Sequence, residues 1–407
     1  MKLIFCSLLF FGFFACGSKD HPIVFGSKPV ANLNLTEEEL YDKVLGSLVG
    51  SALGDAMGAP TEMWSRANIK SEYGYVTNLD SMIREASAEG PWKWNLPAGG
   101  TTDDTRWKEL TYNYLIKQNT KTLTAKGFAE AILSRYQNAI DQYSKIKSFD
   151  PEPYEDNTLK VAWLQEWAKV AKPYVENDIV KFNKNLNKFY GGEMVCAGLL
   201  IAPAIGAFYP GDPEAAYNNM YEIGIYDIGY ARDISALAAA LTAAGMPKNA
   251  NSNDLLATAR SLDPEGFFKS RLVGRTAFRI VQEAKNISKI AKQDSIDILE
   301  AAFHLLDKHQ QDMPFHAGEI YLQVMTAMIF TDFDFQKTME FLVNYGRDND
   351  TTSAIAGGIL GALHGYKNLP SDKSKIIDVN KNQLHINLES LAQELTKKII
   401  SLSHLKK

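Results

Sequence analysis

Gly46-Ser47-Leu48-Val49-Gly50-Ser51-Ala52-Leu53-Gly54-Asp55-Ala56-Met57-Gly58 puts a glycine at every fourth position of a segment that otherwise reads as helix. Ala354-Ile355-Ala356-Gly357-Gly358-Ile359-Leu360-Gly361-Ala362-Leu363-His364-Gly365 repeats that spacing at Gly357, Gly361 and Gly365, near the other end of the chain. Residues four apart share one face of a helix, so each segment carries a face nearly free of side chains. An interior glycine costs about 1 kcal/mol relative to alanine, so the pattern needs a compensating gain. Backbone approach closer than the usual interaxial distance of about 8–10 Å supplies one. A membrane GxxxG interface is the competing reading. It fails because Asp55 lies inside the first stripe while Asp350 and His364 bracket the second. Two central helices are therefore expected, packed tightly on each other or on neighbours. They would carry Glu62 and Asp348/Asp350, just beyond their ends, towards one place.

Outward from the stripes the chain reads as helix after helix. Apolar residues recur at three- and four-residue spacing over 108–118, 126–140, 158–180, 212–223, 233–244, 274–292, 295–308, 318–329 and 335–345. Thr36-Glu37-Glu38-Glu39 has capping-box spacing and starts the first helix. Period-two alternation is confined to 73–79 and 384–386, the only strand candidates. The expected fold is all-α, a single multi-helix domain over 36–370. A C-terminal extension follows at 371–407, with Leu388, Leu391, Leu395, Ile399 and Leu402 on one face of an amphipathic helix at 388–402. Residues 140–190, rich in Trp, Tyr and Lys, fit no assignable pattern.

The chain has 407 residues and a formal net charge of −5, with no basic excess to hold nucleic acid. Lys2 precedes an apolar run from Leu3 to Ala15, the length of a signal-peptide core and too short to span a bilayer. Phe13-Phe14-Ala15-Cys16-Gly17 then resembles the lipobox of bacterial lipoproteins. Residues 1–15 are expected to be a signal peptide, Cys16 the lipid-bearing N-terminus and 16–35 a linker. Gly17, not Asp, follows Cys16, so nothing marks inner-membrane retention. The expected address is extracytoplasmic, lipid-anchored on the outer-membrane side, with the lipid as the sole membrane contact. Of the three cysteines only Cys196 then remains, so no intrachain disulfide forms, and Cys196 reads as a buried small hydrophobe.

Two acidic motifs lie nearly 250 residues apart, Thr101-Thr102-Asp103-Asp104-Thr105 and Arg347-Asp348-Asn349-Asp350-Thr351-Thr352. Each precedes a helix, and N-capping explains one Asp in each but not the remainder. The motifs bring almost no positive charge with them. Carboxylates about 4 Å apart repel by roughly 4 kcal/mol at an effective dielectric of about 20, so four together require cations. All-oxygen donors select hard ions such as Mg²⁺, Mn²⁺ or Ca²⁺ over zinc. Asp55, mid-helix on the glycine face, reads as a hydrogen-bonded structural residue.

Gly54-Asp55-Ala56-Met57-Gly58-Ala59-Pro60-Thr61-Glu62, the Thr102–Thr105 quartet and Gly346-Arg347-Asp348-Asn349-Asp350-Thr351-Thr352-Ser353-Ala354-Ile355-Ala356-Gly357-Gly358 together resemble the signature segments of the ADP-ribosylglycohydrolase family, in its order. The resemblance covers roughly 40–366. It implies an all-α fold with two Mg²⁺ or Mn²⁺ ions at the base of an ADP-ribose cleft. Carried over by motif, Thr102, Asp103, Asp104, Asp348, Asp350 and Thr351 are the implied metal-binding residues. Glu62 matches the family's loop glutamate, implicated in catalysis and gating, and Glu62 and Asp103 are the acid/base candidates. The implied activity is hydrolysis of the glycosidic bond of ADP-ribosyl groups or a related N- or O-riboside, on a protein or small-molecule substrate. A lipid-anchored, metal-dependent nucleotide- or ribose-binding protein without turnover is the alternative.

This chain departs from the family at Tyr230-Ala231-Arg232-Asp233-Ile234-Ser235, where many members have a nucleotide-contacting His, and at Arg347 and Asn349. His364 reads as structural and His316 as a candidate for the cleft wall. Trp92 and Trp94 either stack on a base or pack.

Overall fold

The computed structural model describes residues 35–83, 95–145, 151–270, 272–294 and 296–404. The signal peptide, Cys16, most of the linker, Trp92 and Trp94 lie outside them. The described residues form seventeen α-helices. These are α1 (Glu37–Gly58), α2 (Arg66–Tyr73), α3 (Asp103–Ile116), α4 (Ala125–Ser144), α5 (Pro151–Val175) and α6 (Ile179–Leu186). Next come α7 (Ala197–Phe208), α8 (Pro213–Ile223), α9 (Ala231–Gly245), α10 (Ser252–Ser261), α11 (Thr276–Asp294) and α12 (Ile298–Asp307). The last are α13 (Ala317–Phe330), α14 (Phe335–Tyr345), α15 (Asn349–His364), α16 (Lys373–Gln383) and α17 (Leu388–His404). A two-residue antiparallel pair, Met82–Ile83 with Asn95–Leu96, is the extent of the sheet among them. The fold is all-α, as expected.

Segment 73–79 is instead the end of α2 and irregular chain, and 384–386 is irregular. Both acidic motifs straddle helix starts and do not lie wholly ahead of them: α3 begins at Asp103 after its N-cap Thr102, and α15 at Asn349 after its N-cap Asp348. The 158–180 run divides where Asn177 takes a left-handed φ of 59° and the Asp178 side chain caps α6. Helix α7 is buried at every position, so it has no polar face to generate a period and escapes a pattern search. The short helices α2, α10 and α16 also escaped it.

The two glycine-striped helices, α1 and α15, are antiparallel partners at the centre. A methyl at Gly46 would lie 2.4 Å from Gly361 O, one at Gly50 2.4 Å from Gly357 O, and one at Gly54 2.1 Å from Ser353 O. None of these positions admits a Cβ, because the obstacle each time is backbone. Polar groups follow the same seam: Ser47 Oγ donates to Gly358 O at 2.9 Å and Lys43 Nζ to Leu363 O at 2.6 Å. Helices α7, α9 and α14 pack on this pair, and α17 lies across α1 and α3 with Leu388, Leu395, Ile399 and Leu402 buried. Gly365, third in the second stripe, ends α15 with φ 78°.

Candidate metal centre

The α1–α15 seam ends at the site. A Cβ on Gly58 would meet Asp350 N and Cα at 2.4 Å, so the last turn of α1 lies directly on the first turn of α15. A short 3₁₀ turn, Ala59–Thr61, then delivers Glu62. Glu62, Asp348 and Asp350 each bring a carboxylate oxygen within 4.8 Å of the others. Asp348 occupies the N-cap of α15 but makes no capping hydrogen bond to the backbone; its side chain hydrogen-bonds those of Asp350 and Thr351 instead. Asp350 Oδ2 accepts from Thr102 Oγ1 at 3.1 Å, while Oδ1 is buried and meets no donor among the described residues.

Backbone bonds hold Glu62 here. Met63 N–H donates to Arg347 O at 2.7 Å and Arg347 N–H to Trp64 O at 2.9 Å, with Met63 and Arg347 both at φ 64°. The departures from the family pattern serve this scaffold. The Arg347 guanidinium pairs with both oxygens of Glu319, at 2.8 and 2.9 Å. Asn349 Nδ2 donates to Thr61 Oγ1 at 2.8 Å and so ties the 3₁₀ turn to α15.

Asp55 organises the other motif. Its Oδ1 accepts from the amide and hydroxyl of Thr102, both at 2.9 Å, and its Oδ2 from the amide and hydroxyl of Thr105, at 2.9 and 2.6 Å. This buried carboxylate therefore sets the N-terminus of α3 on α1, the structural role read from the sequence. Asp103 then faces the cleft, and Asp104 points inward. Asp104 Oδ2 accepts from Thr351 Oγ1 at 2.9 Å, and Oδ1 lies 2.8 Å from Lys108 Nζ. The expectation of almost no compensating positive charge is thus corrected. Lys108, one turn along α3, is buried against Asp104. Only burial separates this pair from an ordinary solvated i,i+4 ion pair, so no sequence signal marks it.

Ion-free, these acids hold protons tightly. Burial, then the Glu62 and Asp104 charges, pushes Asp348 up to about 8. Burial and Asp104 push Asp55 up to about 7, against the lowering effect of its Thr hydrogen bonds. Asp103 is raised by burial and then by Asp104 and Glu62, and Asp350 by burial and then by Glu62 and Asp348.

Glu62, Asp103, Asp348, Asp350 and Thr351 line an open cleft. The opposite wall is aromatic, formed by Trp167, Tyr190 and Phe315, and sequence reading missed it. Trp167 comes from α5, in the unassigned stretch, and rests on Trp107 of α3 with ring centroids 4.0 Å apart. The i,i+4 pair Trp163/Trp167 was the available signal. Cys196 also lines the cleft, and burial raises its thiol well above the ordinary value, in keeping with a non-nucleophilic role. His316 does not line it; its Nδ1 accepts from Gly318 N–H at 3.2 Å and caps α13, and its neighbour Phe315 forms the wall. His364 Nε2 bonds Phe333 O at 2.9 Å, a structural contact. Asp233, in the segment lacking the family His, is buried in an ion pair with Arg275.

The donor set fits a hard divalent cation. Every donor is oxygen, three carboxylates converge, and one buried carboxylate oxygen lacks a partner.

Residues 36–403 match the ADP-ribosylglycohydrolase family. The chain is 25% identical over 369 residues to the uncharacterized protein YegU of Escherichia coli (strain K12), covering 84% of this chain and 93% of that protein. It is similar in fold to a solved ADP-ribosylglycohydrolase-related protein complex, with a TM-score of 0.55 and 18% identity, covering 89% of this chain and 99% of that one.

Proposed function

The chain belongs to the ADP-ribosylglycohydrolase family, and from that premise we propose that it is a metal-dependent hydrolase cleaving the glycosidic bond of an ADP-ribosyl group or a related N- or O-riboside. The observation that carries the reading is the convergence of Glu62, Asp348 and Asp350, with an unpartnered Asp350 oxygen, on the floor of an aromatic-walled cleft. Mg²⁺ or Mn²⁺ bound there supplies Lewis-acid polarisation of ribose oxygens. The surrounding carboxylates favour the positive charge that develops at the anomeric carbon as the bond breaks. Asp103 lines the cleft, and burial and then the Asp104 charge make it hold its proton more tightly than an ordinary carboxyl, which suits it to deliver that proton to a leaving group. Glu62, across the cleft floor, is its partner in proton transfer. Tyr190 and Phe315, both half-buried, offer flat apolar faces to a base or leaving group, while the fully buried Trp167 backs them through Phe189.

The substrate class is ADP-ribosylated protein or small molecule. We propose further that Cys16 bears the lipid of an extracytoplasmic lipoprotein; among the described residues no helix is long and apolar enough to cross a membrane. The test is release of ADP-ribose or ribose from ADP-ribosyl-arginine, ADP-ribosyl-serine and nucleosides, with Mg²⁺, Mn²⁺ or EDTA. Turnover is expected with metal, with Asp103→Ala lowering it about 10²–10⁴-fold. Affinity for these ligands without product would establish the binding protein instead.

A further inference from the structure

We infer that this chain holds a single divalent ion, on Glu62, Asp348 and Asp350, and that the Lys108 ammonium stands permanently in place of a second cation at Asp104. The inference rests on the metal-dependent reading above and departs from the two ions that the family resemblance implies. Apart from Asp103 on the cleft lining, Glu62 and the oxygens of the two motifs divide into two groups. In one, Glu62, Asp348 and Asp350 converge within 4.8 Å, Asp348 makes no capping bond and Asp350 Oδ1 has no donor. The bare Asp350 oxygen at their meeting point is the place for an ion.

In the other group the same demand is already met. Both Asp104 oxygens have partners, Lys108 Nζ at 2.8 Å and the Thr351 hydroxyl at 2.9 Å. Asp104 and Lys108 are each only 1% exposed, so their charges balance each other inside the protein and not through solvent. The Thr102 hydroxyl is likewise committed, lying between Asp55 Oδ1 at 2.9 Å and Asp350 Oδ2 at 3.1 Å. A divalent ion beside Asp104 would face a fixed ammonium at contact distance, in surroundings where like charges are poorly screened. Lys108 is tethered to α3 and cannot be chelated away. The α3 half of the site therefore keeps its cation in the ion-free protein, and only the α15 half awaits one.

The test is metal stoichiometry on the full chain in detergent, stripped with EDTA and titrated with Mn²⁺, with bound metal counted by elemental analysis and its coupling read by electron paramagnetic resonance. Wild type is expected to take one ion per chain, with the spectrum of an isolated Mn²⁺. Lys108→Met keeps the stem, removes the charge and is expected to take two, with an exchange-coupled spectrum; Lys108→Arg stays at one. The charge-neutral double variant Asp104→Asn/Lys108→Met, which can be scored even where Lys108→Met alone fails to fold, is expected to take one ion with a Mn²⁺ affinity within about threefold of wild type. Two ions on wild type, a folded Lys108→Met that still takes one, or a larger affinity loss in the double variant would overturn the lysine's role and leave the metal-dependent reading standing. No ion on wild type would overturn both.

Discussion

Replacing Gly58 by alanine tests whether the glycine seam positions the metal site. The added Cβ would lie 2.4 Å from Asp350 N and Cα, and neither backbone atom can swing aside. Ordinary contact requires about 1 Å more, so α1 or the first turn of α15 must shift by about that distance. Metal–oxygen distances tolerate only about ±0.2 Å, so the Asp350 carboxylate would leave its place. A displacement of this size corresponds to a loss of about 10–100-fold in metal affinity, with a comparable fall in kcat/KM. Overpacking costs about 1–3 kcal/mol of stability, offset by up to about 1 kcal/mol from better helix propensity. Gly46→Ala is the control. It meets Gly361 O at the same 2.4 Å, but roughly 18 Å farther along the helix from the acids. It is expected to lose similar stability in urea unfolding of the metal-free protein while binding Mn²⁺ within about twofold of wild type. Calorimetric Mn²⁺ titration of both variants decides. A folded Gly58→Ala that binds as wild type does, or equal affinity losses in the two, would refute the reasoning.

Three further outcomes follow from the site's geometry. Asp55 and Asp348 titrate in the folded protein at about 7 and about 8, against about 3.9 unfolded. The folded state thus binds more protons over this window, and metal-free stability must fall as pH rises from about 4 to about 8. Mn²⁺ should therefore raise Tm more at pH 8 than at pH 5, and an increment independent of pH would contradict this. Asp55→Asn replaces an acceptor of four hydrogen bonds with a group that presents N–H to N–H; it should cost about 2–3 kcal/mol in urea unfolding and weaken Mn²⁺ binding, although Asp55 is not among the three converging carboxylates. Phe315→Ala should raise substrate KM several-fold with Mn²⁺ affinity unchanged, since Phe315 lines the wall and not the floor; a change in metal affinity instead would misplace it.

Much of this molecule was legible in the chain because its cues are local. The glycine stripes announced close helix packing, and α1 and α15 do meet backbone to backbone. The acidic motifs and Glu62 pointed to one place, and there Glu62, Asp348 and Asp350 converge, while hydrogen bonds join Thr102 to Asp350 and Thr351 to Asp104. What escaped had no local signature. Helix α7 is apolar on all sides, Trp167 reaches the cleft from a stretch without a motif, and Lys108 looks like any charge one turn from an Asp.

The sequence by itself determined that the chain is helical, that two helices must touch at their bare faces, and which oxygen donors are available. Helical period, side-chain-free faces and carboxylate chemistry all belong to residues within a turn or two of each other. Tertiary structure decided how those donors are used. Packing register brought Asp350 to Glu62 and Asp348, left its Oδ1 without a donor, and buried Lys108 against Asp104. Whether a carboxylate is open to an ion or already neutralised depends on angstrom distances and on the exclusion of water. Both arise only when helices remote in sequence are pressed together.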